Sequence, residues 1–151
     1  MSLVQLDDYG PWTVTPAPRR ETDLQSLQAR LFADLADFVG DRDGYAFFNR
    51  FDNMIAVTNG IGRETHERFQ QRVRNRYPIT ASVGIGHGTT PAAALGAASE
   101  VLQDAGSAQD PDRREVIGVA GERAGPDGVT IAHFDVVDAT GTYTDAHNAV
   151  D

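Results

Sequence analysis

Apolar residues recur along this chain in two rhythms, one helical and one alternating. Leu24, Leu27, Leu31, Leu35 and Phe38 fall three and four residues apart, the spacing of one buried helix face. Thr22 with Gln25 offers a capping box at the start of that helix, and Gly40 offers a stop. Residues 64–77 predict a second helix, with Phe69, Val73 and Tyr77 one turn apart and Pro78 ending it. Thr90-Pro91 opens a third, as cap and first-turn proline, and Gly106 closes it.

The strand signals fall between these helices. Leu3–Leu6 is a short apolar run near the start. Residues 45–59, YAFFNRFDNMIAVTN, hold two runs rich in aromatic and β-branched residues about Arg50-Phe51-Asp52-Asn53, which predicts a β-hairpin. ITASVGI at 79–85 reads as a further strand, Glu115–Ala120 as a weak one and VTIAHFDVV at 129–137 as a good one. The order β-α-β-β-α-β-α predicts an α+β chain with a ferredoxin-like, antiparallel sheet and its helices on one face. The first domain is expected over 1–125. Residues 126–151 echo its beginning: Phe134-Asp135-Val136 repeats Leu6-Asp7-Asp8 at an offset of 128, each an apolar strand ending in Asp before a Gly- and Thr-bearing loop. That stretch is read as the first strand of a second, truncated repeat.

Composition narrows the class. With 151 residues and 40% hydrophobic content, the chain suits a globular domain with a sizeable core. No apolar run approaches the length of a membrane span and no signal peptide is legible, so a cytoplasmic protein with no membrane partner is expected. The absence of cysteine removes disulfides and cysteine-ligated zinc. Net charge is −9, and every one of the 13 basic residues is arginine. Such a surface disfavours nucleic acid, whose binding needs phosphates neutralised by a basic face. It suits work in concentrated salt, where screening blunts self-repulsion, although a genome rich in arginine codons would leave the same mark.

The candidate chemistry is carboxylate chemistry. If Leu3–Leu6 lies beside the hairpin, Asp7 at its end and Asp52 at the hairpin tip converge, and two carboxylates on rigid strands suit a hard divalent cation such as Mg²⁺. Each residue alone has an ordinary reading, because Asp favours turns and strand ends for local hydrogen-bonding reasons. Arg68, Arg72 and Arg76 form a stripe that could meet phosphates, though such stripes are more often solvated or salt-bridged. Gly84, Gly86 and Gly88 before a capped helix suggest a phosphate cradle. Their spacing fits neither the dinucleotide fingerprint nor a Walker loop, and close packing against the small face Ala93, Gly96 and Ala97 is the favoured reading. The histidines at 66, 87, 133 and 147 show no metal-ligand spacing; His133, beside Asp135, is the one to watch.

Longer motifs carry a resemblance. LDDYGPWTVTPAPRRETDLQSLQARLFADL, FFNRFDNMIAVTNGI, RVRNRYP, GSAQDPDRREV and IAHFDVVDATGTYTD together resemble archaeal GTP cyclohydrolase III, also called type IIa, over residues 3–146. That family is built of two tandem domains similar to polymerase palms and nucleotidyl cyclases, the second with a Gly-Gly-Asp-Asn hairpin. This chain matches the amino-terminal half and the first strand of the second repeat, and lacks the Gly-Gly-Asp-Asn segment. The resemblance implies a Mg²⁺-dependent hydrolase acting on GTP. It would open the guanine imidazole ring, keep the formyl group and release a formylamino-pyrimidine ribosylamino monophosphate with two phosphates, on the way to riboflavin and deazaflavin cofactors. It implies Asp7, Asp52 and the backbone carbonyl of Asp8 as metal ligands, with Asp135 their counterpart in the second repeat. Asp8, Asn53, Arg68 and Arg72 are the expected substrate contacts, and a homo-oligomer is expected. A folded palm-like module that binds nucleotide or a partner without completing catalysis is the alternative.

Overall fold

A computed structural model describes residues 1–8, 21–50, 52–108, 110–121, 135–137 and 143–145. The elements are β1 (Ser2–Leu6), α1 (Glu21–Gly40), β2 (Tyr45–Arg50), β3 (Asn53–Val57), α2 (Arg63–Arg76), β4 (Ala81–His87), α3 (Pro91–Asp104), β5 (Ile117–Gly121), β6 (Asp135–Val137) and β7 (Tyr143–Asp145). The first five strands form one sheet in the order β2-β3-β1-β4-β5, while β6 and β7 pair separately. Strand β1 lies between β3 and β4 and is antiparallel to both, so the first four strands have the expected ferredoxin-like arrangement. The weak run before Gly121 adds the fifth strand, parallel to β4 and joined to it across α3.

Strand periodicity sorts the side chains. Val4, Leu6, Met54, Ala56, Ala81, Val83 and Ile85 face one way and join Leu24, Leu27, Leu31, Leu35 and Phe38 of α1 and Phe69 and Val73 of α2 in a single core. Burial of this stripe holds α1 in place, since an isolated helix gains little from propensity alone. Leu31 is fully buried, and truncation to Ala would cost about 2–5 kcal/mol. The helix is described from Glu21 onward, and the expected Thr22 cap falls on a side chain outside the described residues.

The third helix departs from the expectation that all helices share one face. A Cβ on Gly84 would stand 2.1 Å from the carbonyl oxygen of Ala98, and one on Gly86 would stand 1.7 Å from that of Ala94. Both glycines alternate with Val83 and Ile85, so α3 covers the opposite face of β4, backbone close to backbone. Close packing is therefore their role, but the small residues that meet them are Ala94 and Ala98, with Leu102 beyond; Ala93 does meet Gly88, and Gly96 is exposed. Thr90 does cap α3, its hydroxyl accepting from Ala93 N at 3.1 Å with Pro91 following. Strand β4 begins two residues later than its apolar run, because Ile79 packs into the core ahead of the ladder.

Candidate functional site

The end of β1 and the start of β3 meet at one edge of the sheet. Gln5 is paired with Asn53, and one step further Leu6 N donates to Asp52 O at 2.8 Å. Asp7, Asp8, Asp52 and Asn53 therefore share one end of two adjacent strands. Hairpin geometry sets the tip: a register shift between Phe48 and Arg50 lets β2 turn into β3 through Asp52.

Asp7 is buried, only 2% exposed, and its carboxylate is tied to three donors. Oδ1 accepts from Ser82 Oγ at 2.6 Å, and Oδ2 from Thr80 Oγ1 at 2.8 Å and Glu115 N at 2.9 Å. Ser82 Oγ in turn accepts from Val116 N at 3.0 Å. One side chain thus clasps β1, β4 and the entry to β5, which gives a buried charge the partners it needs. A carboxylate offers about four lone-pair positions, so among the described residues one remains on Oδ1.

Asp52 is differently placed. It is half-buried, and its Oδ1 accepts from Asn53 Nδ2 at 2.9 Å. Burial pushes its carboxyl above the usual range, and a hydrogen bond from its own backbone amide partly opposes this. Asp8 has a positive φ of 49°, donates its N–H to Ala108 O at 2.8 Å and pairs its carboxylate with Arg114 at 3.2 Å. Among the described residues, no three Asp, Glu or His side chains form a ready metal cluster. What the arrangement offers is one lone pair on Asp7 and the remaining lone pairs of the Asp52 carboxylate, with the main chain of Asp8 between them in sequence. Hard oxygen donors of this kind fit Mg²⁺, which keeps several waters and takes few protein ligands.

The arginine stripe is not brought to this end of the sheet's open face. Arg68 and Arg72 stand on α2, on the core side of the sheet, opposite Gln5 and Asn53. Arg68 pairs with Glu64 at 3.0 Å, and Arg72 and Arg76 lie 3.7 and 2.8 Å from Asp34. The salt-bridged reading of the stripe describes these positions. Asp135 opens β6, opposite Asp145 in the separate hairpin, and His133 lies outside the described residues.

Several residues around the site escaped the sequence reading. Thr80 and Ser82 hold Asp7, and Arg113, 5% exposed, donates through Nη1 to Gln5 Oε1 at 3.0 Å. Gln5 Nε2 continues to Asn53 Oδ1 at 3.2 Å. The motif GSAQDPDRREV carried Arg113, but nothing in its local pattern separates an inward arginine from the outward Arg114 beside it. Gln5, Asn49, Asn53, Gln103 and Leu102 line a cleft of about 370 Å³ between the open sheet face and the end of α3.

A ferredoxin-like sheet with aspartates gathered at the ends of β1 and β3 defines the palm-like class of α+β domains. Within that class the chain belongs to the GTP cyclohydrolase III family, whose sequence model matches residues 1–151. It is 64% identical to GTP cyclohydrolase III 2 of Halobacterium salinarum, over 99% of this chain and 60% of that protein. Identity is 58% with GTP cyclohydrolase III of Natronomonas pharaonis, over all of this chain and 61% of that one. With the Methanocaldococcus jannaschii protein of the same name it is 52%, over all of this chain and 56% of the relative. The chain therefore spans about three fifths of the length of these relatives.

Proposed function

We propose that this chain carries the first palm-like domain of a Mg²⁺-dependent GTP cyclohydrolase. The reaction opens the imidazole ring of GTP with one water, retains the formyl group and spends one further water on each of two phosphates released. The product is a formylamino-pyrimidine ribosylamino monophosphate, a precursor suited to riboflavin and deazaflavin synthesis. The observation that carries this reading is the Leu6–Asp52 hydrogen bond, which sets Asp7, Asp8 and Asp52 at one strand end. Family membership supplies the substrate.

Asp7 through Oδ1, the backbone carbonyl of Asp8 and Asp52 would hold the ion. Bound there, Mg²⁺ would neutralise the triphosphate and stabilise charge at the reacting phosphoryl group or the hydrated ring. The chain's own contribution is rigidity and charge. Thr80, Ser82 and the Glu115 amide fix the Asp7 carboxylate before any ligand arrives, so no ordering cost falls on binding. Asn53 fixes one oxygen of Asp52. Without a cation, these carboxylates repel a triphosphate, so nucleotide binding should require Mg²⁺. The deciding experiment is a thermal shift with GTP, with and without Mg²⁺, beside an assay that follows ring opening and phosphate release separately.

A second reading is a module that binds nucleotide, or pairs with another copy of the chain, without completing the reaction. Mg²⁺-dependent GTP binding without turnover would be its signature.

A further inference from the structure

Arg113 lies between α3 and β5, nearly sealed from solvent, with Nε and Nη2 buried and without hydrogen bonds among the described residues. No carboxylate pairs with it among the described residues. A buried guanidinium in that state is costly, and stability alone would favour an apolar residue of similar volume. Among the described residues, its guanidinium donates one hydrogen bond, from Nη1 to Gln5 Oε1. From there the bonds run from Gln5 Nε2 to Asn53 Oδ1 and from Asn53 Nδ2 to Asp52 Oδ1.

The direction of this chain of bonds is forced at both ends. Arginine has five N–H donors and no acceptor, so Gln5 must turn its oxygen to Arg113 and its nitrogen to Asn53. An ionised carboxylate only accepts, so Asn53 must turn its nitrogen to Asp52 and its oxygen to Gln5. The two requirements agree, and neither amide can flip without losing bonds on both sides. Four residues from the α3–β5 segment, β1, β3 and the hairpin tip are thereby oriented in one sense.

We infer that Arg113 is a positioning residue for Asp52: acting through Gln5 and Asn53, it fixes the Asp52 carboxylate through Oδ1 and leaves lone pairs of that carboxylate for a ligand. The inference rests on the reading of Asp52 as a cation ligand, and explains why an arginine with no carboxylate partner among the described residues sits beside the site.

Gln5→Glu separates positioning from folding. The substitution gives Arg113 a carboxylate partner, so the protein should melt no lower than wild type. It also removes the N–H that Asn53 accepts, and Asn53 then turns its nitrogen away from Asp52. In ¹⁵N-labelled protein the Asn53 side-chain amide signals should move. The Mg²⁺ concentration giving half the GTP-dependent rise in melting temperature should increase about tenfold or more, the usual cost of losing an outer hydrogen bond to a metal ligand. Arg113→Lys, still a pure donor, should keep the wild-type Asn53 signals. Unmoved Asn53 signals in Gln5→Glu would overturn the directional chain, and an unchanged Mg²⁺ requirement despite moved signals would overturn the positioning role. If the Asn53 signals respond while wild-type protein shows no Mg²⁺-dependent shift with GTP, the relay stands and the assignment of Asp52 as ligand falls.

Discussion

Leu6 donates its backbone N–H to the backbone oxygen of Asp52 across 2.8 Å, joining the end of the first strand to the tip of the hairpin. That one bond brings residues 46 positions apart in sequence to adjacent places, and it sets the geometry on which the first two predictions rest.

Asp52→Asn should leave folding intact. Asn suits a turn as well as Asp does and can still accept from Asn53. Removing a partly desolvated charge should leave stability in the absence of Mg²⁺ unchanged or slightly higher. The Mg²⁺-dependent rise in melting temperature with GTP should vanish, because only binding to the native state produces it. A mutant that retains the full rise would place the ion elsewhere.

Asp7→Asn should behave otherwise. Its carboxylate meets three donors, and the amide nitrogen of Asn would face at least one of them. Leaving a buried donor unsatisfied costs about 1–3 kcal/mol, so urea denaturation should show a loss of that order even without Mg²⁺ or nucleotide. Equal stability of the two proteins would mean that the clasp on β4 and β5 contributes nothing.

Gly86→Ala and Gly96→Ala should have opposite effects. The added methyl at 86 would collide with the Ala94 carbonyl of α3, and overpacking of this kind costs typically about 1–3 kcal/mol. Nothing lies within 4 Å of the corresponding point at 96, which is an exposed position inside a helix. There Ala should stabilise by about 0.5–1 kcal/mol. Thermal melts of both variants check the pair, and a tolerated Gly86→Ala would mean that α3 can slide.

Stability should fall as pH drops from 8. His66 Nδ1 faces the Gly62 carbonyl at 2.8 Å and must carry the ring proton, so Nε2 accepts from Ser2 Oγ at 2.7 Å. Burial holds its pKa below 6.5, and the same cause lowers the Met1 amine from 8.0 to about 6. A folded pKa below the unfolded one gives stability that is complete above the unfolded value and is lost on acidification. The amine contributes its loss between pH 8 and about 6, and His66 begins to contribute below 6.5. The raised carboxyl of Asp52 acts in the opposite sense, but only in the carboxylate range. Melting temperature measured against pH should decline over this window and decline less in His66→Gln. A flat wild-type profile from pH 8 to 5.5 would remove the account.

Salt should raise the melting temperature. With a net charge of −9 and no lysine, self-repulsion opposes the compact state. Screening has the right direction but is nearly complete at about 1 M, where the Debye length is roughly 3 Å. A further gain above that belongs to ion hydration or strengthened apolar burial. Melts in rising KCl that stay level or fall would contradict this.

What the sequence determined by itself were the features written in local periodicity: the buried stripe of α1, the Thr90-Pro91 start of α3, the hairpin about Asp52 and the order of elements. Each depends on neighbours within a few residues, so composition and spacing suffice. Long motifs also carried the family. Tertiary structure decided what local pattern cannot encode. Gly84 and Gly86 announce a close approach but not the face from which α3 arrives, and that face separates the helices. Arg68 and Arg72 have the spacing of a phosphate stripe, yet Glu64 and Asp34 pair with them, and Asp34, which also pairs with Arg76, is 42 residues from it in sequence. Arg113 and Arg114 are neighbours of like charge, and only the packing of β1 beside the α3–β5 segment turns one inward to Gln5 and the other outward to Asp8. The direction of a hydrogen-bonded chain from Arg113 to Asp52 is a property of contacts between four separate segments, and it exists only once the sheet has brought them together.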